Sequence, residues 1–388
     1  MTDINVGSGA SSQALVGVGY YDVGGYFYLP GATQADGAPL ELREIIHPHW
    51  ASFPPQNQML NGLLAFLYFL FWIVNGFGNS AVIAVFIKSK SLQTPANVFV
   101  ANLAVADFLM MLSQGPFYIL TVMRSKWWSF GVLGCEIYGF TGGLFGITAI
   151  LSMAAIGLDR FLVITRGLSG PRIKMVHAFI IVAFIWAYAL GVVLPPLLKV
   201  WNRFSPEGLL TTCSFDYMND NTWDKSFVIF IFTCAYVIPL LILILCYSQI
   251  VATVWAHEKT LRDQAKKMNV ESLRSNADNK DAKVEMKIAM AALFSVLLWV
   301  IIWTPYAVTV LIAAFGDRSL ITPVVSMIPA LLCKCASCVN PVVFAISHPR
   351  FKQAFRKEYA WLYCATRHEK NENANNCEVN SAATTVKN

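Results

Sequence analysis

Seven long apolar segments divide the 388-residue chain, and they leave few folds open to it. In the first, no Asp, Glu, Lys or Arg occurs between Glu44 and Lys88. That run exceeds the roughly 20 apolar residues with which a helix crosses a bilayer. Charged residues form 13% of the chain, whereas about a quarter is usual in soluble proteins. The segments lie at about 60–87, 96–123, 132–164, 175–198, 226–254, 288–315 and 320–346. The sequence therefore predicts an all-α membrane protein, a seven-transmembrane-helix bundle.

The basic residues indicate which way the bundle faces. Those between and after the apolar segments fall on one side: Lys88, Lys90, Arg166, Arg172, Lys174, several in 257–287, Arg350, Lys352, Arg356 and Lys357. Because cytoplasmic loops carry such an excess of Lys and Arg, we expect a plasma-membrane protein with an extracellular N-terminus and a cytoplasmic C-terminus. This face accounts for the net charge of +6, so membrane lipid is an expected partner and nucleic acid is not.

Composition divides the chain into four predicted parts: an extracellular N-terminal segment, largely disordered, at 1–56; a seven-helix bundle at 57–347; an amphipathic surface helix at 348–364; and a disordered cytoplasmic tail at 365–388. The surface helix is predicted because Phe351 and Phe355 stand among basic residues. Cys364 at its end is a candidate for palmitoylation, and an unmodified interfacial cysteine is the alternative.

One ionisable residue, Lys334, stands alone in the seventh segment. Sixteen residues separate it from Arg318 and from Arg350, which is about 24 Å of helix on either side. That distance is too long for its ammonium to snorkel to an interface. Burial disfavours the ammonium form, and a neutral amine attacks an aldehyde to give a Schiff base. The alternatives are a structural lysine paired with Asp107 of the second segment, or a cation-relay residue of a transporter.

The third segment carries a cysteine at one end and a charge pair at the other. Cys135 lies 24 residues before Asp159, which is about 36 Å along a helix. Arg160 is therefore expected at the cytoplasmic face, where it can meet Glu285 at the start of the sixth segment. An arginine held by two carboxylates can serve as a latch between inactive and active states. The alternative is an interfacial charge cluster that does not switch.

Most of the nine cysteines fall inside apolar segments, and only Cys135 and Cys213 sit where an oxidising exterior can join them. A disulfide between them would draw the connection between the fourth and fifth segments over the bundle and carry Glu207 with it. A lid over a central cavity suits ligand binding. The alternative is a disulfide that only fixes the loop in place.

Short motifs occur in order along the seven segments. They are Gly78-Asn79, Asn102 to Asp107, Asp159-Arg160-Phe161, Trp186, Pro239 with Tyr247, Trp303-Thr304-Pro305-Tyr306 and Asn340-Pro341-Val342-Val343-Phe344. Together they resemble the rhodopsin-like G-protein-coupled receptors. Within that family, Lys334 lies six residues before Asn340, where opsins carry the lysine that binds retinal. The stretches 47–55, 257–270 and 347–350 are similar to the rhabdomeric opsins of arthropods.

The resemblance implies a light-sensing receptor that holds retinal, as a cis isomer in the dark, through a protonated Schiff base on Lys334. It implies that Trp303 and Tyr306 flank the retinal. Vertebrate visual opsins place a glutamate three residues after the disulfide cysteine, where this chain has Tyr138. A buried cation needs a partner, so Glu207 in the lid is the implied counterion, as in rhabdomeric opsins.

The resemblance also implies an activation switch formed by Asp107, Asn79, Asp159, Arg160, Tyr247, Glu285, Asn340 and Pro341. Light would shift Trp303 and let the sixth helix move, so that Arg160 separates from Glu285. A heterotrimeric G protein of the Gq class would then bind the cytoplasmic loops, arrestin is a further expected partner, and no enzymatic activity is expected. The expected location is the photoreceptor membrane.

Two positions depart from the family pattern, because Phe161 and Phe344 stand where tyrosine is usual. The loss of these hydroxyls puts signalling efficiency in doubt and favours one alternative, a retinal photoisomerase of the opsin fold with weak or no signalling. A receptor for a diffusible ligand, with Lys334 as a salt-bridge partner, is a more distant alternative. The receptor motifs count against a light-driven pump of the microbial type.

Overall fold

The computed structural model describes residues 21–23, 26–28, 31–55, 57–124, 127–166, 172–267, 278–347 and 349–359. Among these residues, seven helices are long and apolar enough to cross a membrane. The spans, numbered first to seventh in chain order, are Gln58–Lys88, Pro95–Arg124, Gly131–Arg166, Met175–Leu197, Thr222–Ala256, Met286–Phe315 and Pro323–Val343. The seven-helix prediction is confirmed, with each end within four residues of its expected place.

The last three spans belong to longer helices. The fifth begins as Thr222–Phe232, passes through a π-helical segment at Thr233–Val237 and continues as Ile238–Lys267. The sixth and seventh lie in the helices Asp278–Phe315 and Pro323–Ser347.

The third span forms the centre of the bundle, since it packs against the second, fourth, fifth and sixth spans. It is also the most buried of the seven. The first and seventh spans approach closely at Gly78, where a Cβ atom would lie 3.0 Å from Pro341 Cγ. The glycine of this motif therefore lets the two helices touch.

A two-stranded antiparallel sheet lies between the fourth and fifth spans. Strand β3 (Phe204–Glu207) pairs with strand β4 (Thr212–Phe215), with Glu207 opposite Thr212. The turn between them contains Gly208 and Leu210 in the left-handed region, at φ 58° and 59°. A disulfide joins Cys213 of β4 to Cys135 of the third span. The expected disulfide is therefore present, and β3 and β4 form the predicted lid.

The N-terminal segment departs from the prediction over residues 31–55. Short helices form at Leu40–Arg43 and Pro48–Ala51, and the Trp50 side chain is only 1% exposed. Gln34 Nε2 donates to the Trp50 and Gly208 carbonyl oxygens at 2.6 and 3.1 Å. This part of the segment, predicted to be largely disordered, is therefore ordered, because its apolar side chains pack on the lid. We call residues 31–55 the cap. Earlier in the chain, strand β1 (Tyr21–Val23) pairs with strand β2 (Tyr26–Tyr28) in a short hairpin.

A short helix, Pro349–Glu358, follows the seventh span. Phe351 is buried against Val82 and Val85 near the C-terminal end of the first span and against Leu92 just after it. Lys88 Nζ lies 3.5 Å from a Glu358 carboxylate oxygen. The predicted amphipathic helix thus forms, although the residues after 359, Cys364 and the tail among them, lie outside the described part of the chain.

Candidate functional site: a cavity beneath the lid

A cavity lies inside the bundle and is bordered by the lid. All five residues expected at the cofactor line it: Tyr138, Glu207, Trp303, Tyr306 and Lys334. Most of the remaining lining is aromatic or aliphatic. The structure thus brings one amine and one carboxylate to a single apolar cavity.

Glu207 is held in the lid by hydrogen bonds. The Tyr217 hydroxyl donates to Glu207 Oε2 at 2.8 Å and lies 3.1 Å from the Ser326 hydroxyl of the seventh helix. Glu207, Tyr217 and Ser326 are all at least nine-tenths buried. Burial raises the pKa of Glu207 to about 7, while the Tyr217 hydrogen bond and the positive charge of Lys334 act in the opposite direction. The charge of this carboxyl group therefore depends on the cation facing it.

Lys334 does not pair with Asp107. The Asp107 carboxylate instead accepts a hydrogen bond from Asn340 Nδ2 at 2.7 Å. Among the described residues, no carboxylate oxygen lies within 4.0 Å of the Lys334 amine. The structural role considered for Lys334, a salt bridge to Asp107, is therefore absent here, and Glu207 is the acidic group that shares the Lys334 cavity.

The expected switch residues lie in two groups. Asn79 Nδ2 donates to the Ser337 carbonyl oxygen at 3.2 Å, beside Pro341 and the Asp107–Asn340 bond, and so joins the first and seventh spans. At the end of the third span farther from the lid, Arg160 forms a buried ion pair with Asp159.

That end of the bundle contains a second cavity, lined in part by Asp159, Arg160, Arg172 and Phe351. Tyr247 is buried nearby in the fifth span. The side chain of Glu285 lies outside the described part of the chain, so its expected contact with Arg160 stays a prediction. The same holds for the Phe344 side chain.

Comparison with known proteins decides the family. Residues 78–344 match the model of the family "7 transmembrane receptor (rhodopsin family)". The chain is 45% identical over 338 residues to "Opsin, ultraviolet-sensitive" of Apis mellifera, which covers 86% of this chain and 90% of that protein. It is 46% identical over 326 residues to "Opsin Rh3" of Drosophila melanogaster, covering 84% of each. The chain belongs to the opsins of the rhodopsin family.

A solved structure agrees with this opsin fold. "Crystal structure of squid rhodopsin" superposes with a TM-score of 0.76 at 34% sequence identity, over 82% of this chain and 90% of that chain. The opsin is thus a light-sensing G-protein-coupled receptor that crosses the membrane several times. Membership of the family implies a retinal chromophore and a heterotrimeric G protein as partner.

Several polar residues in or beside the opsin cavity were not predicted from the sequence. The Tyr68 hydroxyl lies 3.1 Å from the Tyr138 hydroxyl, and Gln114 Nε2 donates to the Tyr138 carbonyl oxygen at 2.8 Å. Tyr236 of the fifth helix also lines the cavity. These groups are uncharged and spread over different spans, so no spacing along the chain signals them.

Proposed function

We propose that this opsin binds retinal through a Schiff base on Lys334 and that light activates it toward a Gq-class G protein. The observation that carries the proposal is the meeting of Lys334 and Glu207 in one apolar cavity. Retinal supplies the light-driven change of shape when it is bound. The same proposal includes four further points: retinal is a cis isomer in the dark, the protein lies in the photoreceptor membrane, its N-terminus is extracellular, and arrestin is a second partner.

The residues of the cavity fit a long apolar group. Gly142, Gly143 and Gly146 of the third span all line it, and a Cβ atom on Gly146 would lie 3.4 Å from the Trp303 ring. This row of glycines therefore leaves a slot along the third span that side chains would fill. The Trp303 and Tyr306 rings, 6.5 Å apart and nearly perpendicular, border the slot from the sixth span. An apolar cavity with few placed polar groups is the usual form of a cofactor site.

Glu207 is the proposed counterion. A cation in a cavity of low polarity needs a negative partner, because an unpaired buried charge is costly. Tyr217 already donates to the Glu207 carboxylate and favours its ionised form. In turn, a fixed cation on Lys334 would keep Glu207 ionised near neutral pH, although burial raises its pKa to about 7. The two groups would therefore stabilise each other's charged forms.

The proposed activation runs from Trp303 to the cytoplasmic end. A displaced Trp303 would turn the sixth helix, and Arg160 would then separate from Glu285 and open a binding surface for the G protein.

A second candidate function is a photoisomerase with weak signalling. The observation that favours it is the absence of a tyrosine hydroxyl at Phe161 and Phe344. A light-dependent increase in nucleotide exchange on a Gq-class protein separates the two, since a photoisomerase would produce little.

The experiment that tests the chromophore site is absorbance spectroscopy of the full-length chain. Protein supplied with cis-retinal in the dark should show a band that is red-shifted from free retinal and that light bleaches or shifts. Lys334→Ala should abolish the band, whereas the control Lys199→Ala should keep it, because Lys199 pairs with Glu136 away from the cavity. A band that survives in folded Lys334→Ala protein would contradict the proposal.

A further inference from the structure

The fifth helix changes its geometry where it faces the cavity. The five residues Thr233–Val237 form a π-helical segment inside an otherwise α-helical span. Such a segment carries one extra residue per turn, which re-aims the side chains around it, and it often occurs at functional sites. Tyr236 lies in this segment, and its hydroxyl is 2.6 Å from Thr304 Oγ1 of the sixth span.

The direction of this hydrogen bond follows from the bonds that Thr304 makes within its own helix. Thr304 Oγ1 donates to the Val300 carbonyl oxygen at 2.5 Å. A hydroxyl has one proton to donate, so Thr304 accepts from Tyr236 and Tyr236 is the donor. Removal of the Tyr236 hydroxyl therefore leaves no donor without a partner, and a Tyr236→Phe protein should fold.

Thr304 occupies a point at which the sixth helix can bend. It stands between Trp303, which borders the cavity, and Pro305, which lies inside the helix. Proline removes one backbone hydrogen bond and crowds the preceding turn, so a helix bends at such a site. The Tyr236–Thr304 bond thus joins the fifth span to the flexible point of the sixth.

A row of aromatic rings supports the same contact. Tyr236 stacks on Phe232 at 5.4 Å and on Trp299 at 5.8 Å between ring centroids. Trp299 in turn stacks on Trp303 at 5.4 Å. All four rings line the cavity. A displacement of Trp303 is therefore passed by direct contact to Tyr236.

We propose that Tyr236 is a positioning residue for light activation, whose hydroxyl holds the sixth helix against the fifth at Thr304 in the dark. This inference rests on the proposed function, because it needs a sixth helix that moves on illumination. Light would have to break one hydrogen bond here before the helix bends. Loss of that bond shifts the resting equilibrium toward the active arrangement.

The test measures nucleotide exchange on a purified Gq-class protein, in the dark and in the light, with the retinal-loaded receptor. A neutral hydrogen bond of ordinary strength corresponds to a rise of about 2- to 10-fold in the dark rate. Tyr236→Phe keeps the stacked ring and loses only the hydroxyl, so it should show that rise. Thr304→Val should raise the dark rate by a similar factor, because it removes the other partner of the same bond. The double variant Tyr236→Phe/Thr304→Val should show no larger rise than the larger of the two single variants. Thr304→Ser keeps the hydroxyl and should show the wild-type dark rate.

Tyr188→Phe is the matched control, because the Tyr188 hydroxyl donates to the Cys234 carbonyl oxygen at 3.1 Å between the fourth and fifth spans. Its dark rate should equal that of wild type. A wild-type dark rate in Tyr236→Phe, or an equal rise in Tyr188→Phe, would overturn the inference alone. A wild-type receptor without light-dependent exchange would overturn the proposed function and the inference together.

Discussion

The two ends of the third span are built differently. At the end nearer the lid, which we call the outer end, Cys135 is bonded covalently to the lid. Tyr138 packs there with Trp128 in a buried cluster that includes the cap. At the opposite end, which we call the inner end, Asp159 and Arg160 form a noncovalent pair beside a cavity. One end is bonded covalently and covered, while the charge pair at the other end is noncovalent. If the proposed function is correct, we expect the outer half to keep its shape on activation and the inner half to change shape.

One paired and one unpaired polar group bear on the two ends. In the lid, Asn202 Nδ2 donates to the Asp216 carbonyl oxygen and Asn202 Oδ1 accepts from the Asp216 backbone N–H, both at 2.9 Å. In the inner half, the buried Tyr247 hydroxyl has no hydrogen-bond partner among the described residues. A buried hydroxyl without a partner is costly. A state in which Tyr247 gains a partner is therefore favoured by that bond.

The largest expected effect comes from breaking the outer end with Cys213→Ser. The disulfide closes a loop of 78 residues, and loss of such a bond costs about 2–5 kcal/mol of stability. We expect a clear fall in the thermal unfolding temperature of the retinal-loaded protein, measured by loss of its absorbance band. Cys234→Ala removes a free thiol and serves as the control. Equal unfolding temperatures for the two variants would show that the lid does not depend on its covalent bond.

At the inner end, Asp159→Asn should change activity more than stability. The asparagine keeps the shape of Asp159 but loses the charge that holds Arg160. A hydrogen bond to a charged group contributes about 1.5–3 kcal/mol, so the dark rate of nucleotide exchange should rise about 10-fold or more. The thermal unfolding temperature of the same sample provides the second measurement. A large fall in that temperature without a rise in dark activity would contradict the division between a fixed and a movable end.

The seven spans could be predicted to within a few residues because the thickness of the bilayer fixes the length of each helix. The prediction that Lys334 and Glu207 share one site came from the family resemblance. Their spacing could not supply it, because they lie on different elements 127 residues apart. The Tyr236–Thr304 bond had no such signal, because a π-helical segment leaves no mark in an apolar sequence. The order of the cap could not be predicted, because the glycines and serines before it suggested disorder. Its buried Trp50 depends on a lid surface that composition does not show.

The cap also provides a smaller, pH-dependent test of the outer half. His47 Nδ1 accepts the His49 backbone N–H at 3.2 Å and caps the helix Pro48–Ala51, which requires an unprotonated nitrogen. Burial lowers the pKa of His47 below its ordinary value of 6.5, with opposing attraction from Asp216 and a further lowering by Arg318. Protonation thus favours the undocked cap, so the stability of the cap is complete above about pH 6.5 and falls below it.

The measurement is backbone amide exchange across the cap at pH 7.5 and pH 5.5. Protection corrected for intrinsic exchange should decrease at the lower pH in wild type. His47→Asn keeps an acceptor at the N-cap position but does not titrate there, so its protection should change less. The same pH dependence in both proteins would exclude His47 as the group responsible.

The smallest expected effect concerns the pair Lys88–Glu358, which ties the first span to the C-terminal helix. Its atoms are 3.5 Å apart, and the Lys88 side chain is 59% exposed. Exposed pairs contribute about 0–1 kcal/mol and weaken with salt. Lys88→Ala should therefore leave the unfolding temperature nearly unchanged. Phe351→Ala should lower it, because Phe351 belongs to the same helix and its side chain is buried against the first span. If Lys88→Ala were the more harmful change, charge rather than apolar packing would hold this helix, and the inner end would be more rigid than the comparison implies.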